Sequence, residues 1–535
     1  MKTNRYLGLA LAAPIAAGCC GDTHKKQPNI VFFLVDDMGW VDSSVQYGDS
    51  LYKNNLRFNT PNMQRLADEG VVMGSAYACP VSTPTRTSLM SGMNAAHTHI
   101  TNWTSALTDD PSDASGGGLS LLGQRASEDR FDGDLFRRAE WNYNGLSPQE
   151  GYGHTQYATP MVQLLRDAGY FTIHAGKAHW ACMGTPGASP YNMGFVVNVS
   201  GSINGQPRSY LSEDHYGNIQ DKWCYMSVQN MAEYYDTGIH LTEALTREAL
   251  KTLDYPISHN EPFYLYLAHY ATHTPIQRDE RFIQKYLDAG MDEGQARYAS
   301  MVEGVDKSLG DLFAYLEEKG VADNTAIIFM TDNGGNAENT QKGGIPHTQN
   351  LPLREGKGSC YEGGIRVPLI FYWPGHTKAG RCDVPVTCED LFPTILEIAG
   401  IKNPETVQEI DGQSLVSLVT DGRGPRPGYE RPIIFHYPHK WKPYDLSDID
   451  YLSCVRVGDW KLVYRMATSE LELYNLKEDI GERNDLAAQY PEKTAELAGI
   501  LSDRLREWES PMPIYNATGK PAPMPDEVLA ANVTE

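Results

Sequence analysis

Runs of apolar residues alternate with amphipathic segments along most of the chain. Asn29 to Val35 (NIVFFLV) is a continuous, β-branched run, which is typical of a strand buried on both faces of a sheet. Further strand-like runs lie at 171–174, 262–268, 325–330 and 367–372. Helical patterns separate them, including those at 60–70 and 295–319. This alternation predicts an α/β fold with a large, mostly parallel mixed sheet covered on both faces by helices.

The pattern changes near residue 431. Four short runs, IIFHY, LSCVRVG, WKLVYRM and ELELYNL, follow one another closely, and a helical pattern then covers Pro491 to Trp508. Closely spaced strands before one helix predict a small antiparallel sheet with a helix. We therefore expect a main domain at 28–425 and a C-terminal subdomain at 426–520. A Gly- and Asp-rich stretch at about 105–147 lacks any period and is predicted to be a long surface insertion.

The first residues predict export. Lys2 and Arg5 precede an apolar run from Tyr6 to Gly18, which is too short to span a bilayer and resembles a signal peptide at 1–18. Small residues stand before Cys19, as in a bacterial lipobox, so a lipid anchor at Cys19 is one expectation and simple periplasmic cleavage is the other. No transmembrane span is expected in the remaining chain.

The charge of the chain limits its partners. The formal net charge is -23 over 535 residues, and no long basic run is present. Nucleic acids and anionic membrane surfaces are bound mainly through clustered Lys and Arg, so we expect neither as a partner. An anionic substrate would have to be met by local positive charge.

Oxygen ligands follow two of the predicted strands. Asp36 and Asp37 come directly after the first strand, and Asp332 and Asn333 come after the strand AIIFM. Ligands of parallel sheets gather beyond the carboxyl ends of the strands. Four oxygen donors there suit a hard cation such as Ca²⁺ or Mg²⁺. Helix capping by the acidic pair and a tight turn at DNGG are the alternative interpretations.

Cationic and imidazole side chains also follow predicted strands. They are Lys177 and His179 in HAGKAHW and His269 and His273 in YLAHYATHTP, of which His179 and His273 are expected on the same rim as the acids. Lys357 and Arg366, in LREGKGSCYEGGIRVP, complete a predicted ring of cations. A single histidine is more often structural than catalytic. Together with a metal, however, these groups predict a site for a compact anion that undergoes displacement at its central atom.

The segment CPVSTPTRTSLMSG, from Cys79 to Gly92, can be interpreted alone as a turn before a helix. With the other motifs, it resembles the signature of the type I sulfatases of the alkaline phosphatase superfamily: Cys or Ser, any residue, Pro, any residue, Arg, and a later Gly. Ser82 to Arg86 (STPTR) fits this signature, whereas Cys79 does not, because Val81 stands where proline is required. The resemblance covers most of the chain and continues through NIVFFLVDDMGW, GKAHW, HTP, TDNGG, LREGKGSCYEGGIRVP and LYNLKEDIGE. The departures are serine in place of the commoner cysteine, and alanine before His179 where many members have tryptophan.

The resemblance implies a role for each matching residue. Ser82 would be oxidised to formylglycine by a maturation enzyme. One Ca²⁺ per chain would be held by the set Asp36, Asp37, Ser82, Asp332 and Asn333. Arg86 would support the formylglycine, Lys177 and Lys357 would bind the sulfate, His179 would assist elimination and His273 would protonate the leaving oxygen.

The resemblance further implies hydrolysis of a sulfate monoester, with a sulfated carbohydrate as substrate. Similarity to carbohydrate sulfatases of Bacteroidota points to a galactose- or hexosamine-type sugar of a polysaccharide or host glycan. It also points to a periplasmic or outer-membrane-anchored protein of a Gram-negative bacterium. His436, His439 and Trp441 are predicted sugar contacts. An arylsulfatase, a phosphate or phosphonate monoester hydrolase and a non-catalytic surface glycan-binding lipoprotein are the alternatives.

Overall fold

The computed structural model describes residues 27–104, 136–137, 139–219, 224–336, 350–420, 430–440 and 449–534. In chain order, its strands are Asn29–Val35 (β1), Val71–Met73 (β2), Ala76–Tyr77 (β3), Phe136–Arg137 (β4), Gly145–Ser147 (β5), Thr155–Tyr157 (β6), Phe171–Gly176 (β7), Val197–Val199 (β8), Phe263–Ala268 (β9), Thr325–Thr331 (β10), Leu369–Tyr372 (β11), Gly380–Cys382 (β12), Val386–Thr387 (β13), Ile433–Tyr437 (β14), Leu452–Val457 (β15), Trp460–Arg465 (β16), Glu470–Asn475 (β17) and Ile514–Tyr515 (β18). Its α-helices are Pro61–Glu69 (α1), Ser82–Ser91 (α2), Ala95–Thr98 (α3), Met161–Asp167 (α4), Leu241–Ser258 (α5), Ile283–Asp288 (α6), Glu293–Glu318 (α7), Glu362–Ile365 (α8), Leu391–Ile398 (α9), Val416–Thr420 (α10), Pro491–Glu507 (α11) and Pro525–Thr534 (α12).

Eight strands form the large sheet, in the order β12-β2-β11-β10-β1-β9-β7-β8. The five strands from β10 to β8 pair in parallel, while β11 runs antiparallel to both β10 and β2. This is the large, mostly parallel mixed sheet that the sequence predicts.

The continuous apolar run of β1 is explained by burial on both faces. Ile30, Phe32 and Leu34 point into one core, which also contains residues of α2, α4 and α9. The alternate residues, including Val31 and Phe33, point into a second core with α1, α5 and α7. Successive side chains of a strand point to opposite faces, so helices on both faces require apolar residues at every position.

The C-terminal subdomain contains a four-stranded antiparallel sheet, β14-β15-β16-β17, as predicted. One face packs on α11, where Leu462 and Leu473 meet Leu497 and Leu501. The other face packs on α8 and its flanks. The sheet therefore lies between its own helix and the main domain.

Several predicted features fall outside the described residues. They are the signal peptide at 1–18, the lipid-anchor residue Cys19 and most of the 105–147 insertion, of which the last part forms β5. Among the described helices, none combines the length and the apolar composition needed to cross a membrane.

Candidate active site

The site lies at one edge of the large sheet, where four neighbouring parallel strands end. β10, β1, β9 and β7 are adjacent and point the same way, so the residues that follow them meet beyond their carboxyl ends. Asp36 follows β1, Asp332 follows β10 and Lys177 follows β7. His273 stands at the end of a short turn after β9.

An acidic cluster occupies the centre of this edge. Asp36, Asp37, Asp332 and Asn333 are all at most 1% exposed. Asn333 Nδ2 donates to Asp37 Oδ1 at 2.9 Å, and the Asp37 backbone N–H donates to Asp332 Oδ1 at 3.3 Å. These contacts bring the ends of β1 and β10 together, as the sequence predicts.

Ser82 begins α2 directly above the cluster. Its Oγ lies 3.3 Å from Asp36 Oδ1 and 3.2 Å from Asn333 Oδ1. The N-cap residue Val81 offers no side-chain acceptor to the first amides of the helix. The N-terminus of a helix carries partial positive charge, so a negative group on residue 82 would be stabilised.

Gly92 ends α2 and explains the glycine of the signature. Its φ of 71° is in the left-handed region, and a Cβ at this position would lie 2.9 Å from the Phe392 ring. The signature therefore defines both ends of a buried helix with Ser82 at its start.

Three cations surround the acids. Lys177 Nζ lies 2.6 Å from Asp36 Oδ2 and 3.1 Å from Ser82 Oγ. Lys357 Nζ lies 2.6 Å from Asp37 Oδ1. Arg86 is fully buried, with Nε and Nη2 both 2.9 Å from Asp332 Oδ2 and Nη1 3.1 Å from the Lys177 carbonyl.

The two predicted catalytic histidines occupy different positions. His273 Nε2 is 3.7 Å from Asp37 Oδ2, and its Nδ1 is 3.0 Å from the Thr274 carbonyl. His179 lies one step away, with Nε2 3.0 Å from the Thr104 carbonyl and both ring nitrogens 3.4 Å from Thr83 Oγ1. His273 thus faces the acids directly, whereas His179 packs beside the residue that follows Ser82.

Burial and charge shift the protonation of these groups. Burial and the nearby Asp332 raise the pKa of Asp36 to about 7. Burial opposes the ionised form of Asp332, but Arg86 and Lys177 together lower its pKa. Burial and Lys357 lower the pKa of His273 to about 3, and burial and Lys177 hold the pKa of His179 well below its ordinary value.

The donor set fits a hard cation. Ligand atoms of Asp36, Asp37 and His273 lie within 4.8 Å of one another. Asp332 Oδ1 lies 3.3 Å from the Asp37 backbone nitrogen, and Asn333 Oδ1 lies 3.2 Å from Ser82 Oγ. Lys177, Lys357 and Arg86 already pair with these carboxylates, so the fit to a metal rests on the chemistry of the oxygen donors. Oxygen-rich sets of this kind suit Ca²⁺ or Mg²⁺.

Comparison with known proteins identifies the family. A family model described as Sulfatase matches residues 28–401. The chain belongs to the sulfatase family. A second model, described as N-sulphoglucosamine sulphohydrolase, C-terminal, matches residues 356–510 of this sulfatase. The protein is thus a sulfuric ester hydrolase, which confirms the predicted family and enzyme class.

Similar proteins extend over nearly the whole sulfatase. A sulfatase of Formosa agariphila is 29% identical, with 94% of this chain and 92% of the relative covered. The human N-acetylgalactosamine-6-sulfatase is 29% identical, with coverages of 89% and 85%. The crystal structure of Ps i-CgsB in complex with k-i-k-neocarrahexaose has a TM-score of 0.66 and 26% identity, and covers 90% of this chain and 93% of that chain.

Some predicted residues of the sulfatase lie elsewhere. Arg366, predicted to complete the ring of cations, instead bonds the Gly74 carbonyl and Glu362, and this prediction is wrong. His269, the other histidine after β9, is buried and lies 2.8 Å from Ser308 Oγ.

The predicted sugar contacts differ in position. His436 is 2% exposed, and its ring nitrogens bond Ser453 Oγ and the Pro511 carbonyl, so the structure does not offer it to a sugar. His439 is also buried, with Nε2 2.7 Å from Thr101 Oγ1. Trp441 lies outside the described residues.

Sequence reasoning missed one group at the site of the sulfatase. The hydroxyl of Tyr210 donates to backbone carbonyls of the turn that carries His273. Tyr210 stands in an irregular segment, so no period or motif marks it.

Proposed function

We propose that the protein hydrolyses a sulfate monoester of a sugar. The observation that carries the proposal is the position of Ser82, whose Oγ lies at the start of α2, 3.1 Å from Lys177 Nζ and within 3.3 Å of Asp36 and Asn333. A compact anion at this point would meet helix amides and two ammonium groups. Such prearranged donors stabilise charge that develops during displacement.

We propose that Ser82 is oxidised to formylglycine by a maturation enzyme. A serine hydroxyl is a weak nucleophile at neutral pH. The hydrated aldehyde of formylglycine supplies two hydroxyl groups, one to take the sulfuryl group and one to expel sulfate afterwards. Arg86 would orient this side chain, since its guanidinium is itself held by Asp332 and by the Lys177 carbonyl.

We further propose that one Ca²⁺ is held by Asp36, Asp37, Asp332, Asn333 and residue 82. It would supply positive charge that compensates the sulfate oxygens and favours the ionised nucleophile. Lys177 and Lys357, which bond Asp36 and Asp37 at the edge of this set, are proposed to donate their remaining N–H groups to the sulfate oxygens.

His273 is proposed as the acid that protonates the leaving oxygen. Its Nδ1 bonds the Thr274 carbonyl, which directs Nε2 toward the site. Burial lowers its pKa, so the protonated form requires nearby negative charge, which a bound sulfate ester provides. His179 is proposed to assist the elimination of sulfate from residue 82.

Similarity to N-acetylgalactosamine-6-sulfatases and to Ps i-CgsB, which is solved with a neocarrahexaose, supports a galactose- or hexosamine-type sugar. We propose removal of sulfate from such a sugar within a polysaccharide or host glycan. The signal-peptide pattern supports export to the periplasm, with lipid anchoring at Cys19 as the alternative.

Mass spectrometry of the peptide containing Ser82 tests the modification. Conversion to formylglycine lowers the mass by about two units. A non-catalytic glycan-binding protein would keep an unmodified serine and show no turnover on any ester, which would contradict the proposal.

A substrate panel tests the reaction. Position-defined sulfated galactose and N-acetylhexosamine sugars are compared with 4-nitrophenyl sulfate and 4-nitrophenyl phosphate. We expect the highest kcat/KM on a sugar sulfate. A preference for the aryl sulfate would indicate an arylsulfatase, and a preference for phosphate would indicate a phosphomonoesterase.

A further inference from the structure

The turn that carries His273 is held by a tyrosine from a distant part of the chain. The Tyr210 hydroxyl lies 2.7 Å from the Tyr270 carbonyl and 2.9 Å from the His273 carbonyl. Its side chain is fully buried. Burial and the charges of Asp36 and Asp37 raise its pKa well above the ordinary range, so the hydroxyl keeps the proton that it donates.

Tyr210 is itself fixed on three sides. Its backbone N–H donates to Gln277 Oε1 at 2.6 Å, and its carbonyl accepts from the Leu241 N–H at 2.9 Å. Its ring stacks on His240 with 5.1 Å between centroids. Because Gln277 lies four residues beyond His273, Tyr210 contacts the segment on both sides of that histidine.

The two carbonyls do not depend on Tyr210 equally. The Tyr270 carbonyl also accepts the His273 N–H at 2.9 Å within the turn. Within the part of the chain that the structure describes, only the Tyr210 hydroxyl donates to the carbonyl of His273. Loss of the hydroxyl would therefore remove a buried bond at His273 itself and allow its backbone to shift.

We propose that Tyr210 is a positioning residue that acts through His273, by fixing the backbone from which the imidazole reaches the site. This positioning role rests on the proposed function, in which His273 protonates the leaving oxygen. Proton transfer depends steeply on geometry, and a displacement of about 1 Å can lower a rate about 10²-fold. In this scheme, Tyr210 itself binds neither the sulfate nor the metal.

The experiment uses the matured, metal-loaded protein. Three variants are compared: Tyr210→Phe, His273→Ala and the double variant. One substrate is N-acetylgalactosamine 6-sulfate, whose sugar alkoxide is a poor leaving group, and the other is 4-nitrophenyl sulfate, whose phenolate is a good one. Tyr216→Phe is the matched control, since the Tyr216 hydroxyl bonds the Ile239 carbonyl at 2.8 Å in the same part of the chain. Melting temperatures show whether each variant is folded.

We expect Tyr210→Phe to lose about 10- to 100-fold in kcat/KM on the sugar sulfate and less than about threefold on the aryl sulfate. In the His273→Ala background, the same change should cause almost no further loss, because groups that act as a unit are not additive. Tyr216→Phe should leave both rates unchanged.

The other possible results separate the positioning role of Tyr210 from the acid role of His273. If Tyr210→Phe lowers kcat/KM equally on both substrates, or lowers it fully again in the His273→Ala background, the positioning role is overturned and the proposed function is left intact. Equal losses of His273→Ala on both substrates would instead overturn the acid role itself, and the role of Tyr210 with it. Should Tyr210→Phe fail to fold, Gln277→Met, which releases the Tyr210 backbone, is measured on the same two substrates and judged by the same criteria.

Discussion

At the scale of single residues, Asp332 shows how the site tolerates its buried charges. It bonds Arg86 through one oxygen and accepts the Asp37 backbone N–H through the other. Removing its charge leaves Arg86 buried with one partner fewer. It also removes one carboxylate from the proposed cation site.

Asp332→Asn should therefore lower Ca²⁺ affinity and turnover together, each by about 10-fold or more. Calcium binding is measured by equilibrium dialysis with metal analysis, and turnover by sulfate release. Asp411→Asn is the control, because Asp411 bonds His97 outside the site. Unchanged calcium affinity in Asp332→Asn would remove this residue from the metal site.

Gly205 tests the importance of the position of His179. A Cβ on Gly205 would lie 2.8 Å from His179 Cε1, a separation so short that one of the two groups would have to shift. Gly205→Ala should push the imidazole away from the Thr104 carbonyl and lower kcat about 10-fold or more. Gly499→Ala in α11 is the control, since a Cβ there meets nothing within 4 Å. A wild-type rate in Gly205→Ala would show that His179 can move without consequence.

At the scale of elements, α8 follows Lys357 closely and is anchored by a buried ionic cluster. Lys461 of β16 lies 2.9 Å from Glu362 Oε1 and 2.8 Å from Glu482 Oε1. The Glu362 backbone N–H donates to Glu482 Oε2 at 2.7 Å. The C-terminal subdomain thus fixes the element next to Lys357.

Glu482 gives this anchor a pH dependence. Burial raises its pKa from the ordinary 4.5 to about 7, although Lys461 opposes the shift. Because the folded protein holds this proton more tightly than the unfolded chain does, the stabilisation is complete below about pH 4.5 and is lost as the pH rises through about 7. In the wild type, loss of this proton should lower the free energy of unfolding by about 2 kcal/mol between about pH 5 and pH 8. Glu482→Gln should abolish that decrease.

Urea denaturation of both proteins at the two pH values measures this difference. Other groups titrate in both proteins and cancel in the comparison. Identical pH dependence of wild type and Glu482→Gln would show that Glu482 does not titrate in this range.

The sequence predicts those elements and residues that have a local signal. β1, β9 and β10 are long apolar runs, and the edge that they share with β7 brings Asp36, Lys177 and Asp332 together as expected. β2 and β12 have three residues each, too few to show a period, and were missed. Arg366 was misplaced because its neighbour Glu362, one helical turn earlier, forms a buried pair with it.

At the scale of the whole molecule, Lys461 joins the two parts of the chain. Its side chain is 1% exposed and carries the charge that compensates Glu362 and Glu482. Lys461→Met keeps most of the volume but leaves two buried carboxyls facing each other. Breaking a buried pair in this way costs about 3–5 kcal/mol.

Urea denaturation near neutral pH should show that loss as a lower midpoint. Lys493→Met is the control, since Lys493 pairs with Glu496 on the surface of α11, where such pairs contribute at most about 1 kcal/mol. A wild-type midpoint for Lys461→Met would show that the cluster does not join the subdomain to the main domain.

The burial of α2 also affects when Ser82 can be modified relative to folding. Every residue of this helix is buried, and Ser82 is 2% exposed. The oxidation that we propose for Ser82 requires access to a side chain that the fold buries, so we expect it to precede folding. Molecules that fold first would be permanently inert, and adding the maturation enzyme to purified, folded serine-form protein should restore no activity. The ratio of the folding rate to the modification rate would then determine what fraction of the sulfatase molecules is active.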